Sequence, residues 1–224
     1  MLQLVVARHS ENLQWLGNIP PRIVTVVYDK SGEPATGSLF LENAGREAHT
    51  YLHHICERYA DLADITVFCQ GKPFDHTFDF HQILRNLAKA PEAAPPFSWL
   101  GHTIDTDSND GALFRSWSKN PGGKGLDLNA FHRALWGEDG PDEYSFHLGA
   151  QFAVRRELVW QRPRSFYERA RKLALDFPDA AHCFERCWDQ VFNMGGVASQ
   201  VLAGRKTLHL KRMKREASST SCSK

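Results

Sequence analysis

Near the front of the chain the hydrophobic positions fall in short unbroken runs. Leu2-Gln3-Leu4-Val5-Val6-Ala7 is the first and reads as a strand. Arg22-Ile23-Val24-Thr25-Val26-Val27-Tyr28 is the second, continuous rather than alternating, as expected of a strand buried on both faces. Ile65-Thr66-Val67-Phe68-Cys69 is the third, β-branched and apolar, ending at Gln70-Gly71. Between the second and third the period changes. Ala48, Tyr51, Leu52, Ile55, Cys56 and Tyr59 recur at i, i+3, i+4 and i+7, which predicts a helix whose other face carries Arg46, Glu47, Thr50, His53, Glu57 and Arg58.

Shorter signals fill the gaps. Ser10 can cap a short helix containing Leu13, Trp15 and Leu16, with Glu11 in its first turn. Asp29 to Pro34 is a turn-rich polar loop, Phe80 to Ala88 a short amphipathic helix, and Pro91 to Pro96 a breaker-rich linker. From Phe97 to Pro141 the pattern weakens, which predicts a long, loop-rich insertion over 97–141. Phe146 to Val154 reads as a further strand containing a glycine. Helices follow around Arg155–Trp160, from Pro163 to Ala174 and from Asp179 to Phe192. Strand, helix, strand, helix, strand argues for one α/β domain over 1–203 with a mostly parallel central sheet flanked by helices.

Composition narrows the class. With 42% hydrophobic and 24% charged residues, the chain suits a soluble globular protein. No apolar run approaches the roughly 18–20 residues that span a bilayer. The first run is too short for a signal peptide and lacks a basic leader, so a cytoplasmic location is expected. Net charge is +1, yet the stretch Arg205 to Lys224 holds many basic residues against the single acid Glu216, leaving the remainder acidic. That distribution argues against a nucleic-acid binder and predicts a disordered basic, Ser-rich tail over 204–224. The five cysteines read as buried free thiols; Cys183 and Cys187 sit at i, i+4 without further ligands at metal spacing.

Candidate chemistry gathers where strands hand over to helices, the place where open α/β sheets bind ligands. Arg8, His9 and Glu11 follow the first strand: Arg8 could meet phosphate and Glu11 a sugar or base, or the group could be a strand-end salt bridge with a capping carboxylate. Asn43, Gly45, Arg46 and Glu47 start the central helix, where free N–H groups and Arg46 favour an anion, although Asn and Gly are also ordinary caps. His49 and His53 have the i, i+4 spacing of a metal pair, but the HExxH pattern is not met, and histidines bonded to neighbouring loops are the alternative. Gln70 and Gly71 end the third strand, and Asp75-His76 beyond them could hold a divalent cation, as could Asp105-Thr106-Asp107. Walker and GxGxxG loops are absent, which weighs against ATPase and nicotinamide enzymes.

Several strings resemble an uncharacterised domain family of fungi and bacteria. RHSENLQWL is similar to its R-Y-N-E-D-L-x-W-L opening, with His9, Ser10 and Asn12 where that pattern has Tyr, Asn and Asp. NAGREAHTYLHHI, VFCQGKPFDH, GAQFAVRRELVWQRPRSFYERA and FERCWDQVF resemble its later blocks, in order. More distantly the blocks resemble GT-A-type glycosyltransferases, nucleotide-sugar enzymes built on one α/β sheet. That resemblance implies a GT-A-like fold and transfer of a sugar from a nucleotide-diphosphate donor to an acceptor, with Mn²⁺ or Mg²⁺ as the implied cation. Arg8, Glu11, Asn43, Gly45, Arg46, His49, Gln70 and Gly71 would bind the nucleotide or substrate, Glu47 and Asp75 would be the catalytic carboxylates, and Asp75 and His76 the metal ligands. Two other readings are a metal-dependent hydrolase using His49 and His53, and a non-catalytic sugar- or nucleotide-binding module. The transferase reading expects Asn43–Glu47 and Asp75–His76 to face one pocket.

Overall fold

Three apolar runs supply the centre of a six-stranded sheet. The computed structural model describes residues 1–117, 119–120 and 122–211. In chain order the elements begin β1 (Leu2–Arg8), β2 (Ile23–Asp29), β3 (Leu39–Phe40), α1 (Arg46–Glu57), β4 (Ile65–Gln70) and α2 (Phe80–Lys89). They continue with β5 (Phe97–Trp99), β6 (Thr103–Ser108), α3 (Ala112–Ser116), α4 (Leu128–Trp136), β7 (Glu143–His147) and β8 (Phe152–Arg155). The last are α5 (Arg156–Val159), α6 (Arg164–Asp176), α7 (Ala180–Val191), α8 (Ser199–Leu202) and β9 (Thr207–His209).

The central sheet runs β3-β2-β1-β4-β8-β5. β1 lies parallel to both β2 and β4, pairing Val5 with Val26 on one side and Phe68 on the other. β8 is antiparallel to β4, and β5 antiparallel to β8. Residues of β1 alternate between two apolar layers: Val5 packs with α1, α6 and α7, while Leu4 and Val6 pack with Phe80 and Leu84 of α2. Two covered faces are the reason the strand reads as continuous apolar sequence. The architecture is mixed α/β with a mostly parallel central sheet, as the run pattern predicts.

The short helix predicted after Ser10 forms as a 3-10 turn at Gln14–Asn18, and Ser10 does not cap it. Asn12 provides the side-chain bond there, accepting from Gln14 N at 2.8 Å. The loop-rich insertion over 97–141 needs correction: it contributes β5 to the central sheet, β6 to a second sheet, and two helices. Its strands are too short, and β6 (TIDTDS) too polar, to stand out as hydrophobic runs. The single strand at Phe146–Val154 is really two. β7 joins the second sheet, ordered β7-β6-β9, and β8 joins the first, the chain turning through Gly149 (φ +97°) and Ala150 (φ +50°). Both sheets share one core, since Phe131, Tyr144 and Phe152 belong to the same buried cluster. The basic tail over 204–224 is also corrected in its first part, where Thr207–His209 form β9 against β6. Its remaining positions, 212–224, lie outside the described residues. No described helix is long and apolar enough to cross a membrane.

Candidate functional site

Because β1, β2 and β4 are parallel, their carboxyl ends reach one edge of the sheet. From β1 the chain passes outward to β2 and β3, then returns through α1 to β4 on the other side of β1. Strand order reverses between β1 and β4, and a crevice outside the strand ends at such a point is where open α/β sheets bind ligands. A cavity of about 470 Å³ lies there. Ala7, Arg8, His9 and Glu11 line it from the end of β1, and Lys30 from the end of β2. Asn43, Arg46 and Glu47 close it from the start of α1, and Gln70, Lys72 and Asp75 from the end of β4. A second cavity, about 370 Å³, opens beside Met1, Ile65 and Arg155 at the opposite strand ends, away from the reversal.

Lys30 was not singled out by the sequence, where it falls in a polar loop. It is only 5% exposed, and its Nζ donates to the carbonyl oxygens of Ala44 and, at 2.7 Å, Arg46. Burial pushes its ammonium down to about 8, against the opposing pull of Glu47 and Glu42. The visible signal was a lysine placed directly after a continuous apolar strand. Arg8 makes a strand-end salt bridge and also lines the crevice. Its guanidinium pairs with the buried Asp29 and donates from Nε to Glu11 O at 3.0 Å, yet it still lines the crevice. Burial works against Asp29's charge, but the N–H groups of Ala35 and Ser31, the Ser31 hydroxyl and Arg8 outweigh it and hold the carboxyl at about 2.

Glu11 organises the loop after β1. Its Oε2 accepts from His9 N at 2.7 Å and Ser10 N at 3.1 Å. Gly71 lies against it so closely that a Cβ there would meet Glu11 Oε2 at 2.6 Å, and Trp15 Nε1 donates to Gly71 O at 2.9 Å. Gly71 therefore serves close approach of two loops and does not itself line the cavity. Gly45 has a similar role. With φ +61°, it brings α1 so near α6 that a Cβ would lie 2.6 Å from Ala174 O. Arg46 follows, also at positive φ, with an exposed guanidinium.

His49 and His53 do not assemble a metal pair. His49 is buried with Nδ1 3.3 Å from Lys30 Nζ, and burial followed by the Lys30 charge pushes it down to about 4, so it is neutral and accepts from the ammonium. His53 sets its ring edge-on to Tyr28. Asp75 lines the cavity but is 58% exposed and pairs with Lys72 at 3.0 Å. His76 separates from it: its ring packs under Gly149, where a Cβ would come within 2.6 Å, and it does not line the cavity. The expectation of one shared pocket thus holds for Asn43, Arg46, Glu47 and Asp75 and fails for His76, because the 3-10 turn at Pro73–Asp75 directs consecutive side chains apart. Asp105 and Asp107 lie on β6 in the second sheet, where Asp107 is buried against Arg186 at 2.8 Å and caps Leu113 N at 2.7 Å. Cys183 and Cys187 are buried, and the Cys187 thiol donates to Cys183 O. Among the described residues no group of three or more His, Cys, Asp or Glu is arranged to hold a metal ion.

Glu47 is far less exposed than Asp75 on the cavity wall, at 12% against 58%. Burial raises its pKa, Arg46 opposes, and Glu185 on α7 adds a further upward push. Glu185 carried no signal in the sequence, since it is one polar position of an amphipathic helix. A carboxylate there becomes notable only when α7 packs on α1.

Comparison with known proteins adds the family. No curated protein matches the chain. A solved structure of CMP:2-keto-3-deoxy-manno-octonic acid synthetase complexed with CTP is similar over 77% of this chain and 82% of that one, at 16% identity and a TM-score of 0.28. Such a loose superposition carries no argument about this chain. The family model described as "Protein of unknown function (DUF3431)" matches residues 4–95 and 97–208, and the chain belongs to that family.

Proposed function

We propose that this protein is a glycosyltransferase that moves a sugar from a nucleotide-diphosphate donor to an acceptor hydroxyl. One observation carries the reading: a crevice at the strand-order reversal, walled by Arg8, Lys30, Arg46 and Lys72 and closed by the start of α1. Four cations around a helix start suit a diphosphate, through direct charge and through N–H groups not used inside the helix. Acids at the same wall suit sugar hydroxyls, and Glu11, with its bonds to His9 N and Ser10 N, also orders the loop after β1.

In this reaction the acceptor oxygen forms a bond to the anomeric carbon, its proton passes to a base, and the broken bond's electron pair leaves on the diphosphate. Lys30 and Arg8, both held in place before any ligand arrives, stabilise that departing charge. Glu47 is the better base of the two candidate acids. A carboxyl raised by burial accepts a proton more readily at neutral pH, whereas Asp75 is solvated and already paired with Lys72.

The residues fit a cation carried in on phosphate oxygens, not one caged by protein. Mg²⁺ is ordinarily bound through one or two carboxylates plus substrate phosphates, and Asp75 is the rim carboxylate available for Mg²⁺ or Mn²⁺. When bound, the cation would neutralise diphosphate charge, a task Lys72 shares. The hydrolase reading is not favoured, because His49 already accepts from Lys30.

A thermal-shift screen of UDP-, GDP- and CDP-sugars, with and without Mn²⁺, tests the proposal. One donor class should raise Tm, and Lys30→Met should remove the rise. If no nucleotide or nucleotide sugar shifts the melting point, the transferase reading fails. Binding without transfer or donor hydrolysis would leave a non-catalytic binding module.

A further inference from the structure

Residues paired in register on neighbouring strands put their side chains on the same face of a sheet. Arg8 on β1 pairs with Asp29 on β2, and Asp29 pairs with Phe40 on β3. Phe40 therefore stands in one row with Arg8, two strands further along the carboxyl edge of the sheet. At the usual strand spacing their Cα atoms lie about 9–10 Å apart. The chain ties Phe40 to the crevice a second time, since Asn43 on the cavity wall is three residues further on. Phe40 is 67% exposed, the most of any large hydrophobic side chain among the described residues. β3 is an edge strand, but two residues are too few to recruit another strand, so sheet extension does not account for the ring.

Between Arg8 and Phe40 the row is floored with polar groups. Asp29 is fully buried there, because the loop after β2 folds over it. Ala35 N donates to Asp29 Oδ2 at 2.8 Å, and the Ser31 hydroxyl donates to Oδ1 at 2.6 Å. Ser31 Oγ also accepts from Arg8 at 3.2 Å, while Ser38 Oγ donates to Ala35 O at 2.6 Å. Ser31 and Ser38 both stay half-buried, within reach of solvent. Along this edge the order is guanidinium, hydroxyls, aromatic ring. That order matches phosphate, ribose and base.

We infer that Phe40 is the stacking platform for the base of a nucleotide whose diphosphate lies in the crevice. This rests on the crevice taking a nucleotide-diphosphate ligand, as in the proposed transfer. The direction of that ligand follows. Its base lies over β3, its diphosphate at the ends of β1 and β2 beside Arg8 and Lys30, and its sugar toward β4, where Asp75 lines the wall. Every base has a π-face, so the platform takes purines and pyrimidines alike. Leu39 supplies the contrast. It is 53% exposed on the same short strand, but it pairs with Tyr28 and so stands on the opposite face.

Calorimetry of the full chain with UDP, CDP, GDP and inorganic pyrophosphate tests the platform. At least one nucleoside diphosphate should bind more tightly than pyrophosphate. Phe40→Ala should weaken that nucleoside diphosphate about tenfold, the scale of loss when an aromatic platform for a base is removed. Pyrophosphate affinity should not change, and Leu39→Ala should match the wild type. Phe40→Trp should keep nucleotide affinity and gain an indole emission that the nucleoside diphosphate quenches and pyrophosphate does not. Equal nucleotide affinity in wild type and Phe40→Ala, or a matching loss in Leu39→Ala, overturns the platform and leaves the donor reading intact. If no nucleoside diphosphate binds, both fall. Binding that depends on Phe40, without sugar transfer or donor hydrolysis, sinks the transferase reading and leaves the platform standing.

Discussion

Lys30 and Gly45 show how much of this site depends on single positions. The Lys30 ammonium bonds two carbonyls at the start of α1, and its protonation weakens as pH rises through about 8. Affinity for a nucleoside diphosphate such as UDP should therefore fall between pH 7 and 9.5, measured by calorimetry. In Lys30→Met the remaining pH dependence should be small over that interval; an equal fall in both proteins would remove Lys30 from the anion site. At Gly45 an added Cβ would collide with Ala174 O and His49 Cβ in a backbone region that suits glycine. Gly45→Ala should cost about 1–3 kcal/mol in urea unfolding. A neutral result would mean that α1 can shift away from α6. Gly45 was legible in sequence as a helix-start residue, but its contact was not, because Ala174 is far away along the chain.

At the scale of elements, α7 is held to the second sheet by the buried pair Arg186–Asp107, with the Arg186 plane also lying 4.6 Å from the Phe146 ring. Removing one partner of a buried pair leaves an uncompensated charge and typically costs about 3–5 kcal/mol. Arg186→Met should lose stability on that scale, and Asp107→Asn combined with it should recover part of the loss. If the single variant unfolds at the wild-type urea midpoint, this pair is not what fastens α7. Sequence reading treated Asp105-Thr106-Asp107 as a possible cation motif, since two acids two apart look the same in either role. Which role applies depended on whether a guanidinium arrived from α7. Phe146–Val154 read as one strand for a related reason: its hydrophobic content is continuous, and only Gly149 marks the point where the chain leaves one sheet for the other.

Across the whole molecule, acid should weaken this protein before ordinary carboxylate titration begins. His54 is 1% exposed between Gln3 Oε1 at 3.0 Å and Tyr28 Oη at 3.2 Å, an arrangement that suits the neutral ring, with Nε2–H donating to Gln3 and Nδ1 accepting from Tyr28. Burial lowers it to about 4, with Arg58 and His53 adding to the effect. The unfolded chain takes up this proton near pH 6.5 and the folded chain does not, so stability is full above about 6.5 and falls as pH drops toward 4. His54 alone contributes about 3 kcal/mol to that fall. Urea unfolding at pH 7 and pH 4.5 should show the loss, and His54→Gln should flatten it. The lowered Asp29 acts only further down, where its contribution is lost as pH falls from about 4 through 2.

What the chain determined by itself was local: the three apolar runs, the period of α1, and the presence of polar, anion-suited residues directly after strand ends. Those signals arise from neighbours a few positions apart, where burial and helical period leave their mark on composition. The reversal of strand order between β1 and β4 and the packing of α7 on α1 belong to the tertiary structure. They depend on pairings between distant segments, which a one-dimensional pattern does not encode. Hence Arg8, Glu47 and Asp75 could be named from sequence, while Lys30 joined them and His76 left them only once the sheet and its helices had packed.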